Sequence, residues 1–231
     1  PLALSRRAMT LGVLQWEWDE GRQVMARALA VAPTDPRVAG NAATLASAYG
    51  ELDEALRLAT LGVRGDPLNP NLHAGLAYAH YSRNEFAEAE EAWRTALEFR
   101  PGSAFWRYRV SNALMLAGDA EGALDVIGPI AEDQWGVAAL PMIHHELGSA
   151  AQSDQALADL IERYSDVNPV AVAEAHAYRG ELDEAFRWLD RSFDAHSLRL
   201  AYLKHNPLLA DLRSDPRFPD LVSRLGLPVG P

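Results

Sequence analysis

The chain has no cysteine, which excludes disulfide staples, thiol catalysis and cysteine zinc sites. That absence suits a reducing compartment, and a cytoplasmic location is expected. No apolar run approaches the ~20 residues that span a bilayer, and the N-terminus lacks the charged-then-apolar pattern of a secretory leader. Positive charge is scarce: 21 Lys and Arg face 32 Asp and Glu, for a net charge of −11. Such a surface repels phosphate backbones and anionic lipid, so neither nucleic acid nor membrane is expected as a direct partner. The phosphate-binding patterns G-x-G-x-x-G and G-x-x-x-x-G-K-[ST] are missing, as is the G-x-S-x-G nucleophile elbow, and no cofactor is expected.

What the chain does have is a recurrence. The tetrapeptides Trp18-Asp19-Glu20-Gly21, Leu52-Asp53-Glu54-Ala55, Phe86-Ala87-Glu88-Ala89, Ala120-Glu121-Gly122-Ala123, Ser153-Asp154-Gln155-Ala156 and Leu182-Asp183-Glu184-Ala185 end on small residues spaced 34, 34, 34, 33 and 29 apart. A period near 34 means stacked helical hairpins. Thirteen and twelve positions before these anchors stand Ala42 and Ala43, Leu76 and Ala77, Val110 and Ser111, Ile143 and His144, and Val172 and Ala173, the buried stripe of each first helix. Four positions after them come Met25, Ala59, Trp93, Ile127, Leu160 and Leu189, the apolar partners expected on each second helix. Gly50, Gly118 and Gly180 precede second helices, and Pro33, Pro67 and Pro101 end them. The fifth unit lacks a glycine in this register, and Pro129 predicts a kink or early stop in the fourth.

These units resemble tetratricopeptide repeats, most clearly over Asn71 to Pro101, where Leu76, Ala77, Phe86, Ala89, Trp93, Ala96 and Pro101 are in phase. The resemblance implies an all-α, right-handed α-solenoid of about six hairpins over residues 1–197, in repeats of about 2–34, 36–69, 70–103, 104–136, 137–169 and 170–197. A helical capping segment, 198–231, is expected to cover the open face of the last hairpin. That tail, with Asn206-Pro207, Leu212-Arg213-Ser214-Asp215-Pro216-Arg217-Phe218 and Leu225-Gly226-Leu227-Pro228, is similar to the endings of tetratricopeptide arrays in bacterial signalling proteins. The tryptophans of Trp16-Glu17-Trp18-Asp19 resemble the first repeat of the same arrays. The chain begins Pro1-Leu2-Ala3 and is already helical in pattern from Ser5, so it is expected to be a piece of a longer protein.

Catalytic and metal sites find little support. His145-Glu146 begins like a zinc-protease helix, but the position four after His145 is Ser149. His80 and His176 occupy equivalent repeat positions and read as packing residues, since structural zinc takes four ligands. The pairs Asp53-Glu54, Glu90-Glu91 and Asp183-Glu184 stand at the starts of second helices, where a carboxylate gains about 0.3–1 kcal/mol from the positive helix end.

The resemblance to tetratricopeptide repeats implies a concave groove lined by the first helices, and function is expected there, at positions that include Arg37, Asn41, Thr44, Asn71, Tyr78, Tyr81, Tyr108, Arg109, Asn112, Met115, Met142 and His145, with hardly a carboxylate before Glu174. Such a lining suits an extended peptide: asparagines for its backbone, arginines for its acidic groups, tyrosines for rigid contact area. Asn41, Arg109 and Asn112 resemble part of the carboxylate clamp of chaperone-binding relatives, whose lysines are missing. The expected protein is a non-enzymatic interaction scaffold, with self-association into a homodimer or small-ligand sensing as the alternatives. The double change Tyr108→Ala and Arg109→Ala is expected to abolish partner binding while leaving helicity and melting temperature nearly intact.

Overall fold

A computed structural model describes residues 1–229, and the first 194 of them form six antiparallel helix pairs. The pairs are α1 (Leu2–Met9) with α2 (Trp18–Val31), α3 (Pro36–Tyr49) with α4 (Leu52–Gly65), and α5 (Pro70–Ser82) with α6 (Phe86–Phe99). They continue as α7 (Ala104–Leu116) with α8 (Ala120–Ile127), α9 (Gln134–Glu146) with α10 (Ala150–Tyr164), and α11 (Pro169–Tyr178) with α12 (Leu182–Asp194). The architecture is an all-α solenoid, with no strand among the described residues.

Local chemistry explains the boundaries. Asp35, Asn69, Ser103 and Asp133 accept backbone N–H bonds at the heads of α3, α5, α7 and α9, and Pro36 and Pro70 take first-turn positions where an N–H has no partner. The anchors Ala55, Ala89, Ala123 and Ala185 are fully buried, because a methyl group is the largest side chain that lets the paired helix approach. In the first pair even that is too large: a Cβ on Gly21 would stand 2.9 Å from the Gly12 nitrogen and 3.0 Å from the Ala8 carbonyl oxygen. As expected from Pro129, α8 stops after 8 residues and gives way to a 3-10 turn at Gly128–Ile130.

The fifth pair departs from the expected phase. Gly148, with φ +70, makes its turn, and Ser153, not Ala156, is the fully buried anchor. Serine fits because its hydroxyl is satisfied, donating to the Pro141 carbonyl at 2.7 Å and accepting from Arg179 Nη1 at 2.6 Å. Ser153 lies 30 residues after Ala123 and 32 before Ala185, so the period shortens in both of the last intervals.

The chain packs as two compact units. The first comprises the α1–α6 pairs (Pro1–Arg100) with 201–207 and the described residues from Pro216 onward, and the second comprises the α7–α12 pairs (Pro101–Leu200) with Leu208–Asp215. The tail is therefore core in both units rather than a cover for the last pair alone. In the first unit the buried Trp18 indole N–H donates to the Leu225 carbonyl at 2.6 Å, and Tyr202 meets Tyr78 edge-on at 5.1 Å. Lys204 and His205 lie against Gly50, whose φ of +103 ends α3. A last helix, α13 (Arg217–Arg224), buries Phe218, Leu221 and Val222. In the second unit Leu208, Leu209 and Leu212 are buried. Fully burying such side chains contributes about 1.5–3 kcal/mol each, which makes the tail a part of the fold. The last two residues of the expected capping segment, 230 and 231, lie outside the described residues.

Two glycine substitutions separate close packing from helix propensity. Gly21→Ala is expected to lower the melting temperature through the clash with Gly12, whereas Gly75→Ala, inside α5 with nothing within 4 Å, is expected to raise stability by about 0.5–1 kcal/mol. Thermal unfolding of both variants checks this.

Candidate functional site: an arginine and asparagine recess and a buried ion pair

Four of the twelve expected groove positions converge. In the first unit Arg37 and Asn41 of α3 and Asn71 of α5 line one recess of about 300 Å³ with Leu2, Arg6, Gly40, Thr44, Asn69 and Leu72. The capping turns at Asp35 and Asn69 bring Arg37 and Asn71 to the same rim. Arg37 is held by Asp35, whose carboxylate accepts from the Arg37 side chain at 3.3 and 3.4 Å and from its backbone N–H at 2.9 Å. Those bonds, side chain first, keep the Asp35 carboxyl below its ordinary value. The Asn41 amide donates to Ser5 Oγ at 3.0 Å. Arg6, which stands fifteen positions before the Gly21 anchor as Tyr108 does before Ala123, adds a second cation, and none of the residues lining the recess carries a carboxylate.

The other expected positions are placed differently. Tyr78 is half-buried beneath Tyr202, and Tyr81 is fully buried, edge-on to Trp93 of α6 at 5.4 Å. In the second unit Tyr108, Asn112 and Met115 are fully buried and Arg109 is 6% exposed, its guanidinium 5.2 Å from the Phe105 ring and 5.6 Å from the Tyr108 ring. The expectation that these residues form an open lining is thus corrected: an aromatic or long side chain at these positions packs inward wherever a neighbouring element covers it. His145 is exposed on α9 of the second unit, edge-on to Tyr178 at 6.3 Å.

Tyr108 instead builds a polar cluster. Its hydroxyl donates to Glu174 Oε2 of α11 at 3.0 Å, and Arg199 Nη2 donates to both oxygens of the same carboxylate at 2.8 and 2.6 Å. Burial raises the Tyr108 hydroxyl's pKa, and the Glu174 charge raises it further. Burial opposes the charge on Arg199, yet Glu174 outweighs that and raises its pKa. Trp135 completes the cluster at 5.4 Å from the Tyr108 ring. The residues missed from sequence here are Trp135 and Arg199. Gly148 was the available signal for Trp135, since phasing the fifth pair on Ser153 puts Trp135 at the position of Arg37 and Asn71.

The equivalent histidines have a structural use. His80 Nδ1 and Glu85 Oε2 are 2.7 Å apart, Arg83 Nε donates to Glu85 Oε1 at 2.8 Å, and the same triplet recurs as His176, Arg179 and Glu181. Each triplet ties the end of a first helix to the start of its second. Arg83 and Arg179 also reach Asp53 and Asp154 of the preceding pairs.

No protein-family model matches the sequence, and no curated protein matches it closely enough to count as a relative. Solved structures do match. The Pseudomonas aeruginosa pilF structure shares 10% identity over 87% of this chain and 93% of its own, with a TM-score of 0.60. A thermophilic TPR protein of Thermus thermophilus, TTC0263, shares 17% over 96% and 97%, with a TM-score of 0.51. YrrB, described as a TPR protein with an unusual peptide-binding site, shares 18% over 77% and 95%, with a TM-score of 0.50.

Two outcomes follow from this geometry. Tyr108→Ala is expected to cost about 3–5 kcal/mol as a large-to-small change in a buried site, and chemical denaturation checks it. Burial raises the Glu85 and Glu181 carboxyls, but bonds from His80 with Arg83 and from His176 with Arg179 outweigh it and hold both below 4.5. A depressed folded pKa contributes stability that is full above the ordinary value and is lost as pH falls through the folded one. Melting temperature is therefore expected to fall below about pH 4.5, with a shallower acid slope in Glu85→Gln/Glu181→Gln.

Proposed function

We propose that this chain, which has the fold of tetratricopeptide-repeat proteins, is a non-enzymatic protein- or peptide-binding scaffold whose contact site is the recess of Arg6, Arg37, Asn41, Thr44 and Asn71. The observation that carries this reading is convergence: residues from three successive first helices meet in one open recess lined by two arginines, of which Arg37 also pairs with Asp35 at the edge. Such a lining fits an extended acidic segment, its carboxylates on Arg6 and Arg37 and its backbone on the asparagines. The likeness of residues 198–228 to tails of bacterial signalling proteins supports a role as the interaction module of such a protein in the cytoplasm. No described helix is long and apolar enough to cross a membrane, and the net charge of −11 argues against a nucleic-acid partner.

A panel of acidic, neutral and basic nine-residue peptides tests the site by fluorescence anisotropy. Acidic probes are expected to bind, more weakly as salt rises, and Arg37→Ala/Asn71→Ala to weaken them at least about tenfold with unchanged melting temperature, since both residues are exposed. Unchanged affinity in the double variant sinks the assignment. A concentration-independent dimer by light scattering, insensitive to all probes, supports self-association instead.

A further inference from the structure

The second unit contains a side-chain socket of opposite sign. Its floor is the Glu174 carboxylate, only 1% exposed and fixed by the Tyr108 hydroxyl. The Asn168 side-chain Oδ1 at the head of α11 accepts from Arg199 Nη1 at 2.7 Å, and the Trp135 ring of α9 stands 5.3 Å from the guanidinium carbon. Two helices thus surround one planar cation: α11 with the Glu174 carboxylate and, at its head, the Asn168 amide oxygen, and α9 with the Trp135 aromatic face. That set matches a guanidinium, which offers coplanar donors and a stacking face, and fits poorly the compact, strongly hydrated ammonium of a lysine. Arg199 enters from the rim: its own side chain is 19% exposed and the adjacent Leu198 is 50% exposed.

We propose that this socket is an arginine-recognition site, which takes the side chain of an arginine presented by an extended segment of a partner protein and which Arg199 fills otherwise. Exchange is feasible because one guanidinium replaces another. Glu174 stays paired in both end states, so the large penalty of a lone buried carboxylate is avoided. The displaced Arg199 turns into water beside Leu198, while the buried leucines of the tail stay in place. Arg199 competes as a tethered ligand, with an effective concentration on the order of millimolar. The site is separate from the acidic-peptide recess in residues and in charge, so either reading can fail without the other.

Arg199→Met vacates the socket while keeping side-chain volume, and methylguanidinium chloride serves as the probe. The probe is expected to raise the melting temperature of Arg199→Met and to perturb the Trp135 indole N–H resonance, where methylammonium chloride does neither. Wild-type protein should need at least about tenfold more probe for the same perturbation, because Arg199 competes. The response should vanish in Arg199→Met/Glu174→Gln. The proposal is overturned if Arg199→Met ignores the probe, if wild type responds at the same concentration, or if the Glu174→Gln background responds unchanged. Should Arg199→Met not fold, acetyl-Gly-Arg-Gly-amide is titrated into wild type: a shift of the Trp135 resonance supports exchange, and none at a roughly hundredfold excess over the millimolar competitor overturns it.

Discussion

Glu174 holds a carboxylate where 1% of its side chain meets solvent, and a charge in that position costs several kcal/mol unless a cation reaches it. Arg199 is that cation, and its place in the turn that follows α12 means that the chain must return towards α11 before its tail can continue. The pair contributes little net stability, because both ions lose their water. Its value is positional: lysine in place of Arg199 cannot reach Glu174 and Asn168 while also facing Trp135. The tail that follows then has a defined start, and its buried leucines supply the energy that the ion pair does not.

In each unit the tail takes surface that a stack of helical hairpins would otherwise leave open. Tyr202 covers Tyr78 and Leu225 receives the Trp18 indole in the first unit, while Leu208, Leu209 and Leu212 are core in the second. The recess around Arg6, Arg37 and Asn71 stays open in the first unit, and the Arg199 side chain reaches the rim of the second.

The helix pairs were legible in the sequence because close approach of two helices admits few residue types, and those few recur. Ala55, Ala89, Ala123 and Ala185 announce themselves in this way, and Gly50, Gly118 and Gly180 mark the turns. Ser153 escaped because serine serves as an anchor only when its hydroxyl finds partners, here the Pro141 carbonyl and Arg179, and such partners are a tertiary fact. The site was legible only in part. Position within a repeat tells which face a residue occupies, and Arg37, Asn41 and Asn71, expected on one face, line one recess. It does not tell what lies over that face, so Tyr81, Tyr108, Asn112 and Met115 were expected in the open and are buried. A tail without the repeat period carries no signal of where it docks.

The central claim is that residues 200–227 are a packed part of each unit and not a loose extension. Hydrogen–deuterium exchange of the intact chain reads this directly. The account predicts that the amides of Leu200, Asn206, Leu225 and Leu227, bonded to Ser197, Leu203, Leu221 and Val222, exchange as slowly as those of the helix pairs around them. Exchange of this segment within seconds, while the helix pairs stay protected, would contradict it.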